Sequence, residues 1–163
     1  MASSVVLLPG DGIGPEVTRE ARRVLERVGE IFGTGFNFHT HPIGGAALAA
    51  GHPALPDTTL AAATKADAVF LGAVGDPSFD HLPPESRPES GLLRLRRHLG
   101  VFANLRPAKA WPGLEDAGPL KPAVLAGTDL IVVRELLGGL YYGEPREWNR
   151  DTDQAINTLR YSR

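Results

Sequence analysis

Apolar positions in the first half of the chain form short runs separated by segments of helical periodicity. Val5–Leu8 is an apolar run stopped by Pro9 and Gly10, which predicts a buried strand. Pro15 suits the first turn of a helix. Apolar side chains then follow at helical spacing up to Gly33, namely Val17, Ala21, Val24, Leu25, Val28 and Phe32.

The same alternation continues further along the chain. Strands are predicted at 36–42 and 67–72, and small residues predict helices at 44–50 and 56–66. The alternation of strands and helices predicts an α/β fold with a mostly parallel sheet flanked by helices.

The second half is less regular. We predict a loop over 75–88, a helix at 91–100 and an extended segment at 102–109. Leu130–Val133 is the most apolar run of the chain and predicts a strand buried on both faces. The polar tail, 144–163, has no apolar periodicity, so neither a helix nor a strand is predicted there.

Composition narrows the class of protein. With 42% hydrophobic and 22% charged residues, the chain has the balance of a soluble globular protein. A net charge of −2 gives no reason to expect nucleic acid or an anionic membrane as partner. The absence of cysteine excludes disulfides and thiolate metal sites. No signal peptide and no apolar stretch of roughly 20 residues is visible, so a cytoplasmic protein is expected.

The turn Gly10–Glu16 lies between the first predicted strand and helix, where backbone N–H groups can meet an anion. It differs from the dinucleotide fingerprint, whose third glycine falls one residue later. Contact with a cofactor and a plain tight turn both remain open interpretations.

The predicted helix at 91–100 carries an arginine on its apolar side. Leu92, Leu95 and Leu99 form one stripe, and Arg96 falls within it. An unpaired buried charge is expensive, so Arg96 is expected to pair with a carboxylate or to face a cleft. The opposite face carries charged or polar side chains typical of a solvated surface, namely Arg94, Arg97 and His98.

Two further arginines lie in unusual places. Arg106 is in a short extended segment, and Arg134 ends the most apolar strand. Structural salt bridges would explain each one separately, whereas together with Arg96 they suggest a di-anionic substrate held by guanidinium groups. Tyr141 follows a double glycine and offers either a hydroxyl to the same cleft or an ordinary half-buried ring.

His39 and His41 share a strand face at metal-ligand spacing. A zinc site requires three or four protein ligands, and no third ligand is in view. No metal site is therefore predicted among these residues.

Several sequence blocks resemble the decarboxylating 2-hydroxyacid dehydrogenases, the isocitrate/isopropylmalate dehydrogenase family. The blocks keep their order and span nearly the whole chain. They are Leu8–Glu16, Gly72–Gly75, Pro88–Leu93, Leu95–Arg96, Ala103–Pro107, Val133–Leu136, Gly138–Tyr141 and Gly143–Arg146. The resemblance implies a partial isopropylmalate dehydrogenase-like fold.

The resemblance also implies roles for individual residues. Arg96, Arg106 and Arg134 correspond to arginines that hold the malate-type carboxylates, and Tyr141 to a tyrosine that helps protonate the enolate left after decarboxylation. The loop from Asp76 to Glu89 corresponds to the segment lining the nicotinamide end of NAD. The cofactor-binding residues implied in this way are Asp76, Pro77, Glu89 and Ile13.

Substrate choice within the family depends on the start of the 91–100 helix. Isocitrate enzymes place a serine and an asparagine there to bind a third carboxylate, whereas Leu92 and Leu93 offer apolar surface. A third carboxylate would be desolvated and unpaired against them, which favours 3-isopropylmalate as substrate. The implied activity is NAD-dependent oxidative decarboxylation with Mg²⁺ or Mn²⁺ in leucine biosynthesis, by a homodimer.

The sequence departs from the family in two ways. Asp76 and Ser78 replace a common glycine and lysine, and Leu137 replaces a threonine, so cofactor affinity is expected to differ. The family also places its lysine base, metal-binding aspartates and adenosine-binding loop after the end of this sequence. We therefore expect an amino-terminal half that is inactive alone, with 1–100 as a first α/β segment and 101–163 as the start of a dimerisation and substrate domain. A truncated binding or subunit-interaction module, or one piece of a split enzyme, are the alternatives.

Overall fold

The computed structural model describes residues 2–162, and the chain divides into two compact units, one ending at Leu99 and the other beginning at Gly100. The first unit alternates strands with helices. Its elements are β1 (Ser3–Gly10), α1 (Gly14–Phe32), β2 (Phe36–Thr40), α2 (Gly45–Ala49), α3 (Asp57–Lys65), β3 (Ala68–Ala73) and α4 (Pro88–Leu99).

The strands of the first unit form a parallel sheet in the order β2–β1–β3. Leu7 of β1 lies beside Thr40 of β2 and Phe70 of β3, so the strands run in register. The predicted parallel sheet flanked by helices is confirmed. Parallel strands bring their carboxyl ends to one edge of the sheet, which is where open α/β sheets bind ligands.

Helix α1 packs on the sheet mainly through small residues, and of the apolar positions at helical spacing only Ala21 and Leu25 are half-buried. Gly14 and Thr18 are buried, whereas Val24 is 62% exposed. A Cβ on Gly14 would collide with the carbonyl oxygen of Pro9, so the helix approaches β1 too closely for a branched side chain. The packed face is therefore set by the distance between helix and sheet, which the periodicity of valine and leucine does not reveal.

The core of the first unit lies between the sheet and helices α3 and α4. Leu8 comes from the sheet, Ile43 and Leu55 from the connections around α2, Leu60 from α3 and Leu95 from α4. These side chains come from segments far apart in the sequence, so burying them joins local elements into one unit.

The second unit contains β4 (Ala103–Lys109), the short helix α5 (Pro122–Leu125), β5 (Asp129–Glu135), β6 (Arg146–Asn149) and β7 (Gln154–Asn157). β4 and β5 pair as an antiparallel two-stranded ribbon. The prediction that Leu130–Val133 is buried on both faces is wrong for the described chain, because Val133 is 66% exposed and its neighbours are also exposed. An apolar run sets strand propensity, but burial requires a second layer, and residues 100–162 place none over this ribbon.

The tail was predicted to contain no regular structure, and this is also wrong. β6 and β7 form an antiparallel hairpin between Arg146 and Asn157. The Asn149 side chain accepts hydrogen bonds from the backbone N–H groups of Asp151 and Thr152 at 2.9 and 3.2 Å, and Asp153 has a φ of +51°. Asn and Asp favour such turns, so turn chemistry rather than apolar alternation carried the signal.

No helix within residues 2–162 combines the length and the apolar character required to cross a membrane.

Candidate substrate and cofactor site

The turn after β1 is a tight turn held against the end of β3. Gly10 has a φ of +70°, and a Cβ there would collide with the Ala73 carbonyl. The Asp11 N–H donates to that carbonyl at 2.7 Å, and the Gly14 N–H donates to the Asp11 carbonyl at 2.8 Å. The Gly14 N–H therefore already has a partner, whereas the Ile13 side chain is exposed at this edge of the sheet.

Asp11 is a buried residue at this edge of the sheet that no sequence pattern singles out. It is 5% exposed, and its carboxylate accepts three backbone hydrogen bonds. Two come from Gly45 and Ala46 at the start of α2, at 2.9 and 2.7 Å, and one comes from Gly75 after β3, at 2.9 Å. A clue was present in the glycines at these positions, since close backbone approach requires them, but their pairing depends on the tertiary structure.

The loop proposed from the resemblance to face NAD, Asp76 to Glu89, begins directly after Gly75. The Asp76 carboxylate accepts hydrogen bonds from the Ser78 hydroxyl at 2.6 Å and from the Ser78 N–H at 2.9 Å. The hydroxyl bond, followed by the backbone bond, holds the pKa of Asp76 below its ordinary value of 3.8. The two departures from the family pattern, Asp76 and Ser78, are thus partners that cap a short 3₁₀ turn at Pro77–Phe79.

The remainder of that loop is fixed by Arg87. Its guanidinium donates to the carbonyl oxygens of Leu82 and Asp80 at 2.8 and 2.7 Å. The Glu89 carboxylate is close to Gly75, because a Cβ built on this glycine would lie 3.2 Å from it. The first unit therefore gathers Ile13, Asp76 and Glu89 around one edge of its sheet.

Helix α4 has the apolar side that its sequence predicted. Leu95 is buried and Arg96 is half-buried, as are Leu92 and Leu93. Arg94 is exposed but not simply solvated, because it donates to the Leu55 carbonyl at 3.0 Å and to Asp57 at 2.8 Å. The position of Arg96 relative to the other two arginines of the predicted clamp stays a prediction, because it belongs to the first unit.

Arg106 and Arg134 lie on the same face of the β4–β5 ribbon. Asn104 pairs with Arg134 across the ribbon, and Arg106 is two residues from Asn104 on the same strand, so their side chains share a face. The Arg106 Nε donates to the Asn104 side-chain oxygen at 2.6 Å. The Arg106 guanidinium contacts the side-chain amide of Asn104, and the Arg134 guanidinium contacts the ring of Tyr141. Within the described chain, the interpretation of these two arginines as structural salt bridges therefore gains no support.

Tyr141 lies against Arg134. The Arg134 guanidinium carbon is 5.1 Å from the centre of the Tyr141 ring, a cation–π contact. Gly139, with a φ of +62°, begins the short 3₁₀ turn that ends at Tyr141. A Cβ on Gly139 would lie 2.5 Å from the Tyr161 hydroxyl, so this glycine allows the tail to pack against the turn.

The remaining features, a histidine pair and a cavity beside α1, provide no further candidate site. Within residues 2–162 no group of three His, Cys, Asp or Glu residues could hold a metal ion, His39 and His41 included. A cavity of about 590 Å³ lies between α1 and the amino-terminal end of β2, away from the carboxyl edge of the sheet. Arg22 covers Phe38 there at 5.2 Å and pairs with Glu26, an arrangement that ordinary surface packing explains.

Comparison with known proteins defines the class. The sequence model of the isocitrate/isopropylmalate dehydrogenase family matches residues 4–163, so the chain belongs to that family. Among solved structures, isocitrate dehydrogenase from Methylococcus capsulatus is similar with a TM-score of 0.76 and 28% identity, over 99% of this chain and 43% of that one.

Curated relatives are more similar in sequence. The 3-isopropylmalate dehydrogenase of Aquifex aeolicus is 49% identical over 97% of this chain and 44% of its own length. That of Prochlorococcus marinus is 53% identical over 98% of this chain and 45% of its own length. The chain thus spans slightly less than half of the curated relatives it matches.

Proposed function

We propose that this chain supplies the carboxylate clamp and the nicotinamide-side loop of an NAD-dependent dehydrogenase that oxidatively decarboxylates 3-isopropylmalate. Two relatives named 3-isopropylmalate dehydrogenase match this chain at about 50% identity, which supports the substrate class. The observation that carries the proposal is the shared ribbon face of Arg106 and Arg134 with Tyr141 beside them.

The ribbon face suits a dicarboxylic hydroxy acid. The planar guanidiniums of Arg106 and Arg134 can each bind a carboxylate through two parallel N–H groups. The Asn104 side-chain oxygen orients Arg106, and the Tyr141 ring orients Arg134. In the proposed reaction Tyr141 donates its hydroxyl proton to the carbon that loses carboxylate, while Arg96 adds a third positive charge to the clamp.

The edge of the first-unit sheet suits the nicotinamide end of NAD, which when bound accepts the hydride removed from the substrate. Exposed Ile13 offers apolar surface, and the Asp76 and Glu89 carboxylates offer acceptors for a carboxamide N–H. Pro77 and the Asp76–Ser78 bonds keep this loop in one conformation. Leu92 and Leu93 on α4 form the apolar surface for the isopropyl group.

The proposed divalent cation, Mg²⁺ or Mn²⁺, has no ligand cluster among residues 2–162. We assign its ligands, the lysine base and the adenosine-binding loop to the part of the relatives that this chain does not match. The domain roles are also part of the proposal, with the second unit as the start of the substrate and dimerisation domain of a homodimer. The isolated chain is accordingly expected to show no NAD reduction with isopropylmalate and Mg²⁺ or Mn²⁺.

The test joins this chain to the remaining part of the Aquifex aeolicus relative and measures NAD reduction. Isopropylmalate should be turned over with far higher kcat/KM than isocitrate. Arg134→Met should lower kcat/KM by about a hundredfold, because charged hydrogen bonds to a carboxylate are worth roughly 1.5–3 kcal/mol each. Arg150 is the matched control, since it covers the Trp148 ring at 5.1 Å in the same unit, and Arg150→Met should leave kcat/KM nearly unchanged.

Substrate choice is tested separately with Leu92→Ser in the same joined protein. A hydroxymethyl group in place of the isobutyl group should narrow the preference for isopropylmalate over isocitrate by roughly tenfold, since apolar contacts discriminate by about 1–3 kcal/mol. Equal rates on both substrates before any substitution would rule out the specificity argument. A folded joined protein with no activity on isopropylmalate would contradict the proposed function itself.

A further inference from the structure

The buried carboxylate of Asp11 has no place in the proposed chemistry. It belongs to the turn that connects β1 to α1, yet it is bonded to two other segments, at 34 and 64 residues' distance. In the described part of the chain its partners are the backbone N–H groups of Gly45, Ala46 and Gly75, with no cation among them. A buried charge held only by neutral groups is uncommon, because desolvation is costly unless the hydrogen bonds are well formed.

Glycines make this arrangement possible. Gly44 has a φ of +73°, and a Cβ there would collide with the Asp11 carboxylate. A Cβ on Gly45 would lie 2.9 Å from Cβ of Asp76 and 3.2 Å from the Asp11 carboxylate. The backbone at the start of α2 thus lies close both to Asp11 and to Asp76, the first residue of the nicotinamide-side loop.

The chemistry of the bonds requires a carboxylate rather than an amide. Oδ2 accepts from Gly45 and Gly75, and Oδ1 accepts from Ala46, so both oxygens act only as acceptors. An asparagine has one acceptor oxygen and one NH₂ group, which would face at least one backbone N–H. The isosteric substitution Asp11→Asn therefore breaks at least one hydrogen bond. It also places the NH₂ group, a donor, against a backbone N–H, which is another donor.

We propose that Asp11 is a positioning residue for the nicotinamide-side loop. Its bond to Gly75 fixes the residue just before the loop against α2. It thereby sets the positions of Asp76, which follows Gly75, and of Glu89, whose carboxylate is close to Gly75. This inference rests on the proposed function, because it takes residues 76–89 to be the surface that meets NAD. Asp11 touches no reacting atom and acts through the loop.

A purely structural role of Asp11 would give a different experimental result from a positioning role. If Asp11 only stabilised the first unit, Asp11→Asn would weaken the whole unit evenly. A positioning role predicts a selective change at residues 75–79 and in NAD binding, while amides of the sheet retain their protection from exchange. Asp67 is a matched control, because its carboxylate also bridges distant segments by accepting the Ser4 N–H at 2.8 Å, but away from the loop.

The experiment is NMR on this chain joined to the remaining part of the Aquifex aeolicus relative, because the adenosine-binding loop is assigned to that part. In the unsubstituted protein, scalar coupling through the hydrogen bonds should link the amide nitrogens of Gly45, Ala46 and Gly75 to the Asp11 carboxyl carbon. Titration with NAD should shift the amides of Gly75, Asp76, Ser78 and Phe79. Asp11→Asn should weaken NAD binding by about tenfold and speed exchange of the Gly75 amide by at least as much, the expectation for loss of one charged hydrogen bond. Asp67→Asn should change neither.

The possible results of this experiment distinguish failure of the positioning role of Asp11 from failure of the proposed function. No Gly75 coupling to Asp11 overturns the inference without needing a variant that folds. NAD binding that is equal in the unsubstituted, Asp11→Asn and Asp67→Asn proteins overturns it as well, and leaves the proposed function standing. No shift of residues 75–79 by NAD in the unsubstituted protein overturns the cofactor side of the proposed function, and the positioning role with it.

Discussion

The two units of the chain differ in how they use their apolar residues. The first buries side chains such as Leu8, Ile43 and Leu55 between a parallel sheet and its helices. In the second, as far as residue 162, Leu136 is the single apolar side chain that is buried, while Leu105 and Val133 are 63% and 66% exposed. Residues with high strand propensity therefore favour the pairing of strands in both units. A hydrophobic core forms only where a second layer packs against the paired strands.

This difference bears on stability more than on secondary structure. Hydrophobic burial contributes about 25 cal/mol per Å² of apolar surface removed from water. The β4–β5 ribbon gains little of it within the described chain, although its pairing is continuous from Ala103 to Lys109. The first unit should therefore unfold as a cooperative unit, while the second depends on additional contacts for its stability.

The largest expected effect compares a core position with a ribbon position. Leu8→Ala should lower the free energy of unfolding of the first unit by about 2–5 kcal/mol, because the side chain is fully buried and leaves a cavity. Val133→Ala should cost less than about 1 kcal/mol. Urea unfolding followed by amide exchange in β1 and β5 measures both, and equal losses would contradict the comparison.

The exposed ribbon should be visible to a hydrophobic dye. The 163-residue chain is expected to bind such a dye and to associate, because two-stranded ribbons with apolar faces are marginal in water. Leu105→Thr combined with Val133→Thr should reduce dye fluorescence by roughly half or more, with stability changed by no more than about 1 kcal/mol.

Val24→Thr on α1 is the matched control for the dye experiment, since Val24 is similarly exposed in the first unit. An equal reduction by this control would show that exposure alone, and not the ribbon, attracts the dye. A sharp monomeric thermal transition without dye binding would show that these residues need no further layer.

A smaller effect concerns the loop of the first unit that begins at Asp76. Because the folded-state pKa of Asp76 is lowered, its bonds to Ser78 stabilise the loop above pH 3.8, and the stabilisation is lost as pH falls through the folded pKa. Ser78→Ala should raise that pKa toward its ordinary value, since the hydroxyl bond is the larger cause. Carbon NMR titration of the Asp76 carboxyl measures the change, and Ser86→Ala in the same loop should not alter it.

The smallest effect concerns exposed ion pairs, on which the units should not differ. Arg94 pairs with Asp57 in the first unit at 2.8 Å, and Lys109 pairs with Asp129 across the ribbon at 3.1 Å. Double-mutant cycles with alanine should give about 0.2–1 kcal/mol for each pair, because all four side chains are largely exposed. A pair energy several times larger in one unit would mean that charge, rather than burial, distinguishes them.

Much of the fold followed from local patterns. Val5–Leu8 with Pro9 predicted β1, and Pro15 with Gly33 predicted the limits of α1 to within a residue. The leucines around Arg96 predicted the apolar side of α4. These succeeded because strand runs, helix starts and helix ends are determined by interactions within a few residues.

The failures have a different physical origin. The burial of Leu130–Val133 was inferred from composition, but burial depends on what packs against a strand. Apolar alternation does not predict the hairpin β6–β7, because Asn149 and Asp153 determine its turn. No local pattern indicates the bonds of Asp11, because they join it to Gly45 and Gly75 at separations of 34 and 64 residues.

The sequence by itself determined the parallel α/β class, the family and the residue types of the candidate clamp, since these depend on local periodicity and on motifs that keep their order. Only the tertiary structure decided that Arg106 and Arg134 share a face with Tyr141, and that Asp11 fastens the loop at Gly75. Strand register and backbone approach between distant segments determine those contacts. They are set by the packing of the whole unit, which no local stretch of sequence contains.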